Sequence, residues 1–592
     1  VSTQPSFPPP DRLSYGVDPY LDAWILHFMT ENNLDHYLNP GINASFEQLR
    51  FMVDLDEEQV FAPCPDRELE QLLQSSLSPE LLNRYNRQWR RLASFVLEHV
   101  RGDRYLWRRI IALCRHKYRM VLSSPFVIPD RLMKRFLTIF LTQTGIDDPM
   151  RQEKQRFNRR ADEFADSERF RRLLDACPGD VLTCTSMENM RRTLDLEELR
   201  RLLCLATWPD IWQTRHGPAG LESLWDEAFS VQENFADVLG GCLAQDSHGH
   251  PLKILYIPDD SGGIIFDIMV LRALMRQGHR VTLTLKEGFY FYAPTVWDLE
   301  QDAVLADWLS QAVQIQDNQI SKNELLTKQR ENPFLVISDG TRERLNLYRT
   351  GVTFARAWKE SDLILAKGED NARQFLDNSH VFTRDILGVF RDDQGRLRAE
   401  VKAKSARSYK FTEAQLLSRA EEIIQGMRKA KNDGKKVMFY SAVIGSLPGQ
   451  TQTAIRILQT FVVHLRQRLP DTFIINPAEH FEPGMDADDL MYMWEKVQRS
   501  GLIDVWRFQT VQDIETSFEL LGQSIPPVWI GKDATFSTGC TKEMNIALSM
   551  QKQNPELQII GPDPEKFFRR REYGVGKFFD SGIEREPERR GA

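Results

Sequence analysis

Nowhere in the 592 residues does an apolar run approach the roughly 18 to 20 residues that a membrane-spanning helix needs, so none is expected. Cysteine is sparse: seven are scattered along the chain, an odd total with no Cys-x-x-Cys pair, which argues against a disulfide framework and fits a reducing compartment. A cytoplasmic location is the expectation. An excess of one charge is also missing, since 76 Lys+Arg against 84 Asp+Glu leave a formal net charge of −8. Without a global basic footprint, neither nucleic acid nor a membrane is an expected partner. The opening stretch, residues 1–10, has no charged segment leading into an apolar one, and reads as a Pro-rich lead rather than a signal peptide.

What is present is enough chain for about three or four domains. Residues 1–240 are rich in Leu, Arg, Glu and Trp at helical spacing and predict a helical N-terminal domain. Its Arg-rich patches, at 88–92 and 169–172, are interleaved with acids and read as solvated helix faces. Between two of its helices lies Thr144-Gly-Ile-Asp-Asp-Pro, with Gly145 ending one helix and Asp148-Pro149 starting the next. Lys154 and Asn158 follow four residues apart on one helical face, where solvent exposure is the simplest reading.

From 250 to 400 the pattern becomes strand and helix in alternation, with strands expected at 254–257, 281–285, 334–338 and 363–366. Such alternation predicts a mostly parallel sheet with helices on both faces, an αβα sandwich of Rossmann-like type. The first strand runs into Pro258-Asp-Asp-Ser-Gly-Gly, placing Asp259 and Asp260 at its carboxyl end, where ligands of open α/β sheets gather. Adjacent carboxylates repel unless a cation, a proton or donor groups offset them, which points to a hard divalent metal. The alternative is a helix-capping Asp beside a solvated neighbour. Lys286 opens the loop after the second strand, Ser338, Asp339 and Gly340 close the third, and Lys367, Gly368 and Asn371 close the fourth. Lys367-Gly368 before a helix offers an ammonium and free N–H groups to a phosphate, although it is not a Walker A loop and an ordinary turn also accounts for it. The pair His248 and His250 reads as polar linker rather than a metal site.

Residues 401–433 predict a charged helical connector, and 434–580 a second Rossmann-like α/β domain with strands at 437–440, 473–476, 503–508, 528–531 and 557–560. The loop after its first strand, beginning Ser441-Ala-Val-Ile-Gly, sits where a nucleotide or S-adenosylmethionine would bind. It lacks both Gly-x-Gly-x-x-Gly and the Walker lysine, however. Cys540 opens a later helix and, with no adjacent base, reads as inert. Residues 581–592 are expected to be disordered.

In this order, the Thr144-Gly-Ile-Asp-Asp-Pro segment with Lys154 and Asn158, the Pro258-Asp-Asp-Ser-Gly-Gly strand end and Ala366-Lys-Gly-Glu-Asp-Asn resemble the damage-control, metal-dependent phosphatase family. The likeness covers about residues 100–395. It implies a helical N-terminal part on an αβα sandwich, and hydrolysis of phosphate esters of small sugars or damaged cofactor-like metabolites with a divalent metal such as Mn, Mg, Co or Ni. By resemblance, Asp259 matches the first metal ligand, Asp260 stands where the family has Asn, and Lys367 matches the phosphate-binding lysine. Gly368 and Asn371 fall on the family's Lys-Gly-x-x-Asn turn. The sequence departs from the family pattern where an acid is usual, at Ala293 and Gly263, leaving Asp298 or Asp302 to substitute.

The expected function is therefore a metal-dependent hydrolase of small phosphorylated metabolites, with Asp259, Asp260 and Asp298 on the metal and Lys367 on the phosphoryl group. One rival is a non-catalytic pseudo-phosphatase that binds its ligand. A second is a two-Rossmann-domain transferase of glycosyl or methyl groups.

Overall fold

The computed structural model describes residues 8–34, 43–56, 58–74, 77–213, 225–244, 251–444, 447, 450–480, 482 and 484–572. The His248/His250 pair and the tail 581–592 lie outside them, as does part of the loop after Ser441. The chain divides into two compact units: residues 1–320 with 324–408, and residues 321–323 with 409–592.

The first unit is built on seven strands, β1 (Lys253–Ile257), β2 (Arg280–Leu285), β3 (Val313–Ile315), β4 (Phe334–Ser338), β5 (Leu363–Lys367), β6 (Asp385–Arg391) and β7 (Leu397–Lys402). Their order is β3-β4-β2-β1-β5-β6-β7, parallel except for β7, which runs antiparallel to β6. Strand periodicity sorts the side chains onto two faces. Leu255 and Ile257 of β1, Leu335 and Ile337 of β4, and Ile364 and Ala366 of β5 join one core, which the helices Pro79–His99 and Pro129–Thr144 also enter. Ile254 and Tyr256, Phe334 and Val336, and Leu363 and Leu365 join the other, with the helices Arg151–Ala165, Met187–Ala206 and Gly263–Arg276. Both faces are thus covered, which is why the central strands read as continuous apolar runs. The helical N-terminal region supplies cover for both faces of this sheet.

Four of these strands lie where the sequence places them; β3, β6 and β7 are additional. The second unit carries β8 (Lys436–Ser441), β9 (Thr472–Ile475), β10 (Val505–Phe508) and β11 (Gln558–Ile560), all parallel, in the order β11-β10-β8-β9. The helix Glu413–Asn432, expected as a connector, belongs to this unit and starts with a capping box at Thr412 and Gln415. The strand expected at 528–531 is instead a short 3-10 turn, Pro527–Trp529. The N–H groups of Trp529 and Ile530 bond back to the Pro526 and Pro527 carbonyls, which takes up donors that a strand ladder would need.

Candidate functional site

The carboxyl ends of β1 and β5 are neighbours in register, Ile257 beside Ala366, and the turns that follow them interlock. The Asn371 side chain donates to the carbonyls of Pro258 (2.8 Å) and Lys367 (2.9 Å), tying the two strand ends together. Gly368 has φ +91°, and a Cβ there would run into the Asp259 carboxylate. Only glycine lets the β5 turn approach Asp259 this closely.

Asp259 and Asp260 retain partial solvent exposure but sit deep enough for desolvation to dominate their ionisation. Burial raises the Asp259 pKa well above the carboxylate range; the Asp260 charge adds to this and Lys367 opposes it. Asp260 is raised by burial too, against Lys367 and Arg91. Burial therefore penalises the charged form of both carboxyls by more than Lys367 offsets.

Lys367 ends β5 almost fully buried, with Nζ 2.9 Å from Oδ2 of Asp267 and donating to the Ala206 carbonyl at 3.1 Å. Asp267 accepts a further bond from the Tyr256 hydroxyl (2.7 Å). Its own pKa is raised by burial, with the Lys367 charge and the two hydrogen bonds working against that rise. Around this pair the turn before the helix Gly263–Arg276 is compressed. A Cβ on Gly262 (φ +85°) would enter the Trp212 ring, and one on Gly263 would lie 2.9 Å from Lys367 Nζ. The nearest obstacle to that Cβ is the Ala206 backbone oxygen at 2.7 Å, so the acid expected at position 263 has no room here.

Lys154 and Asn158, expected on an exposed face, are buried to 1% exposure. Lys154 Nζ lies 2.6 Å from both Asp148 and Asp298. Asn158 accepts from the Gly262 N–H (2.6 Å) and donates to Asp302 (2.7 Å). The helix Arg151–Ala165 therefore braces the Asp-Asp-Ser-Gly-Gly turn from outside the sheet.

This bracing decides the fate of Asp298. Its Oδ2 accepts from Lys154, from the Thr295 N–H (2.8 Å) and from the Thr295 hydroxyl (3.0 Å). Asp302 caps the next helix through Val304 and Leu305 N–H. Among the described residues no three His, Cys, Asp or Glu side chains come together to hold an ion. The expected set of Asp259, Asp260 and Asp298 is not assembled, because Lys154 and Thr295 hold Asp298 in a structural bracket. Ala293 is buried in the loop after β2, its N–H on the Tyr290 carbonyl at 3.1 Å.

Lys286, Ser338, Asp339 and Gly340 share the same sheet edge but form their own knot. Lys286 pairs with Asp339 at 2.7 Å and donates to Thr341 at 3.0 Å, and Ser338 donates to Glu287 at 2.6 Å. Gly340, at φ +78°, passes too close to the Gly351 backbone for any side chain. These groups serve one another and are not turned toward the carboxylate pair by any bond.

Three cleft residues escaped the sequence reading. Asp267 is the single carboxylate within the apolar run 264–271, an anomaly that itself signals a buried partner. Arg91, whose guanidinium carbon lies 3.6 Å from the Phe291 ring centroid, projects charge toward Asp260 from the N-terminal helices. Phe291 holds this position at φ +49°, a strained backbone for an aromatic residue. Trp212 carried no sequence signal.

A profile of the damage-control phosphatase ARMT1-like domain matches residues 130–433. The chain belongs to this family. The ARMT1-like region thus begins at the helix Pro129–Thr144 and contains every residue of the interlocked turns. Among solved structures, a DUF89 family protein from Pyrococcus horikoshii is 19% identical, with 54% of this chain and 92% of that chain covered and a TM-score of 0.37. No curated protein matches. No helix among the described residues is long and apolar enough to cross a membrane.

In the second unit, Cys540 is buried and donates to the Ala442 carbonyl at 3.3 Å; burial pushes its thiol pKa well up, so the thiolate that chemistry would need is disfavoured. Beside it Glu543 is raised to about 7 by burial, against hydrogen bonds from Ser441, Gln498 and Cys540.

Proposed function

We propose that the first unit hydrolyses phosphate esters of small phosphorylated metabolites with a divalent metal held by Asp259 and Asp260. The observation that carries this reading is the placement of two adjacent carboxyls at the end of a central strand, packed against the Gly368 turn and beside a buried lysine, where burial penalises their charge unless a cation joins them. Two carboxylates suit Mg²⁺ or Mn²⁺, which keep several waters and take substrate phosphate oxygens rather than demanding an all-protein cage. Thiol and imidazole donors are absent from the two turns, which favours a hard ion over zinc. When bound, such an ion would polarise the phosphoryl oxygens and lower the pKa of a water.

The chain's own residues supply the rest. Asp259 and Asp260 fix the ion's place at the strand end, and Gly368 keeps the β5 turn close enough for its backbone to line the site. Lys367, buried on Asp267, adds a fixed positive charge that opposes the carboxylates and offsets part of the charge a phosphoryl group would bring to them. Asn371 and Asn158 hold the two turns, so the donors need little reorganisation as charge develops.

The test is turnover of a panel of sugar phosphates and a generic aryl phosphate with Mg²⁺, Mn²⁺, Co²⁺ or Ni²⁺, for the native chain and Asp259→Ala. Metal-dependent turnover that Asp259→Ala abolishes is expected; turnover that survives it refutes the assignment. Among the described residues no third carboxylate completes a metal set with Asp259 and Asp260, which favours one rival, a site that binds phosphorylated ligands without turnover. Metal calorimetry separates the two, since a dead site takes up no divalent ion tightly.

A further inference from the structure

The helix Arg104–Ser123 carries no acidic residue in its 20 positions, yet holds Arg104, Arg108, Arg109, Arg115, Lys117 and Arg119 in a chain of net charge −8. Ile110, Cys114 and Val121 face the core, whereas all five arginines are exposed. At about 100° per residue those arginines fall within roughly half the helix circumference, together with Tyr105, Leu113 and Met120. These three are 75%, 41% and 50% exposed. Among the described residues none of the five arginines is paired with a carboxylate. Like charges at Arg104/Arg108 and Arg115/Arg119 lie four apart and repel, so the array works against the helix that bears it.

We propose that this face docks on an anionic lipid bilayer. The charge asks for a polyanion, and the exposed apolar groups choose among polyanions. Leu113 and Met120 at one edge of the arginine stripe contribute little to contact with a polynucleotide backbone. A bilayer interface takes both kinds of group, with guanidinium forks on lipid phosphates and apolar side chains at the headgroup boundary. The helix is about 30 Å long at 1.5 Å per residue, so it presents its arginines to several headgroups at once. The association is peripheral and reversible, and it differs from the expectation of no membrane partner that the overall charge balance suggested.

Sedimentation of the full chain with vesicles tests this. Binding is expected to phosphatidylcholine vesicles containing about 30% phosphatidylserine at about 0.1 M salt, with at least a tenfold loss at about 0.5 M and little binding to phosphatidylcholine alone. Charge reversal, R104E/R108E/R115E/R119E, should lower binding more than tenfold with an unchanged melting curve. If that variant fails to fold, R104Q/R108Q/R115Q/R119Q serves instead. L113S/M120S should weaken binding severalfold at constant charge. Equal binding to neutral vesicles, no binding to either vesicle, or undiminished binding by the arginine variants would overturn the proposal. So would capture by a polynucleotide without capture by vesicles.

Discussion

The Lys367–Asp267 pair offers a decisive perturbation, because both side chains are nearly inaccessible, 2% and 0% exposed, with 2.9 Å between them. At an effective dielectric of about 20 their direct attraction is of the order of 6 kcal/mol, most of it spent against desolvation. Lys367→Met leaves Asp267 ionised with only the Tyr256 hydroxyl; Asp267→Asn leaves the ammonium with only the Ala206 carbonyl. Each single change should cost about 3 to 5 kcal/mol, since it strands a buried charge. The double variant removes both charges together, so its loss should be close to that of one single change rather than the sum, a coupling of about 3 to 5 kcal/mol. Urea unfolding, followed by tryptophan fluorescence and circular dichroism on all four proteins, measures this. Losses that add within about 0.5 kcal/mol would show that the two groups do not depend on each other, and the account of the β1/β5 edge would be wrong.

Gly368→Ala should cost about 1 to 3 kcal/mol from its positive φ, and displace Asp259 enough to weaken Mg²⁺ or Mn²⁺ binding at least tenfold by calorimetry. Asn158→Ala orphans the Gly262 N–H and an Asp302 oxygen, for about 2 to 4 kcal/mol in total, and Asn158→Asp should be worse because it sets one carboxylate against another; thermal melts rank the three proteins. Glu543, raised to about 7 from 4.5, gives a stability term that is complete below about pH 4.5, falls as the pH rises toward about 7 and is level above that. Glu543→Gln should flatten this decline, which amounts to about 3 kcal/mol, and parallel pH profiles of the two proteins would refute the assignment.

Much of the first sheet was legible because β1, β2, β4 and β5 are buried on both faces and so appear as short apolar runs. β3, three residues long at the sheet edge, and β7, where Leu397 and Ala399 alternate with exposed or half-exposed neighbours, carry a much weaker signal. Val528 to Gly531 shows the converse error, an apolar run whose N–H groups bond back to the preceding prolines instead of joining a ladder. For the site, the location of Asp259, Asp260, Lys367, Gly368 and Asn371 at one edge followed from strand ends. The pairing of Lys154 and Asn158 with Asp298 and Asp302 did not. Each pair is spaced by four residues, and only the fold reveals that 154 faces 298 while 158 faces 302, both across 144 residues of chain. A charged residue at helical spacing is usually solvated, so its burial can be recognised only once the opposing helix is in place.

That brace also sets the order in which the site can come into being. Asn158 must wait 104 residues for Gly262, and Lys154 must wait for Asp298. During synthesis the buried ammonium of Lys154 therefore has Asp148 as a local partner long before its distant one exists. The Asp-Asp-Ser-Gly-Gly turn cannot be held in its final shape until the chain has emerged past Asp302. Contacts of such long separation form late, so a nascent or truncated chain that stops short of Asp298 would expose an incompletely braced acidic turn rather than a finished site.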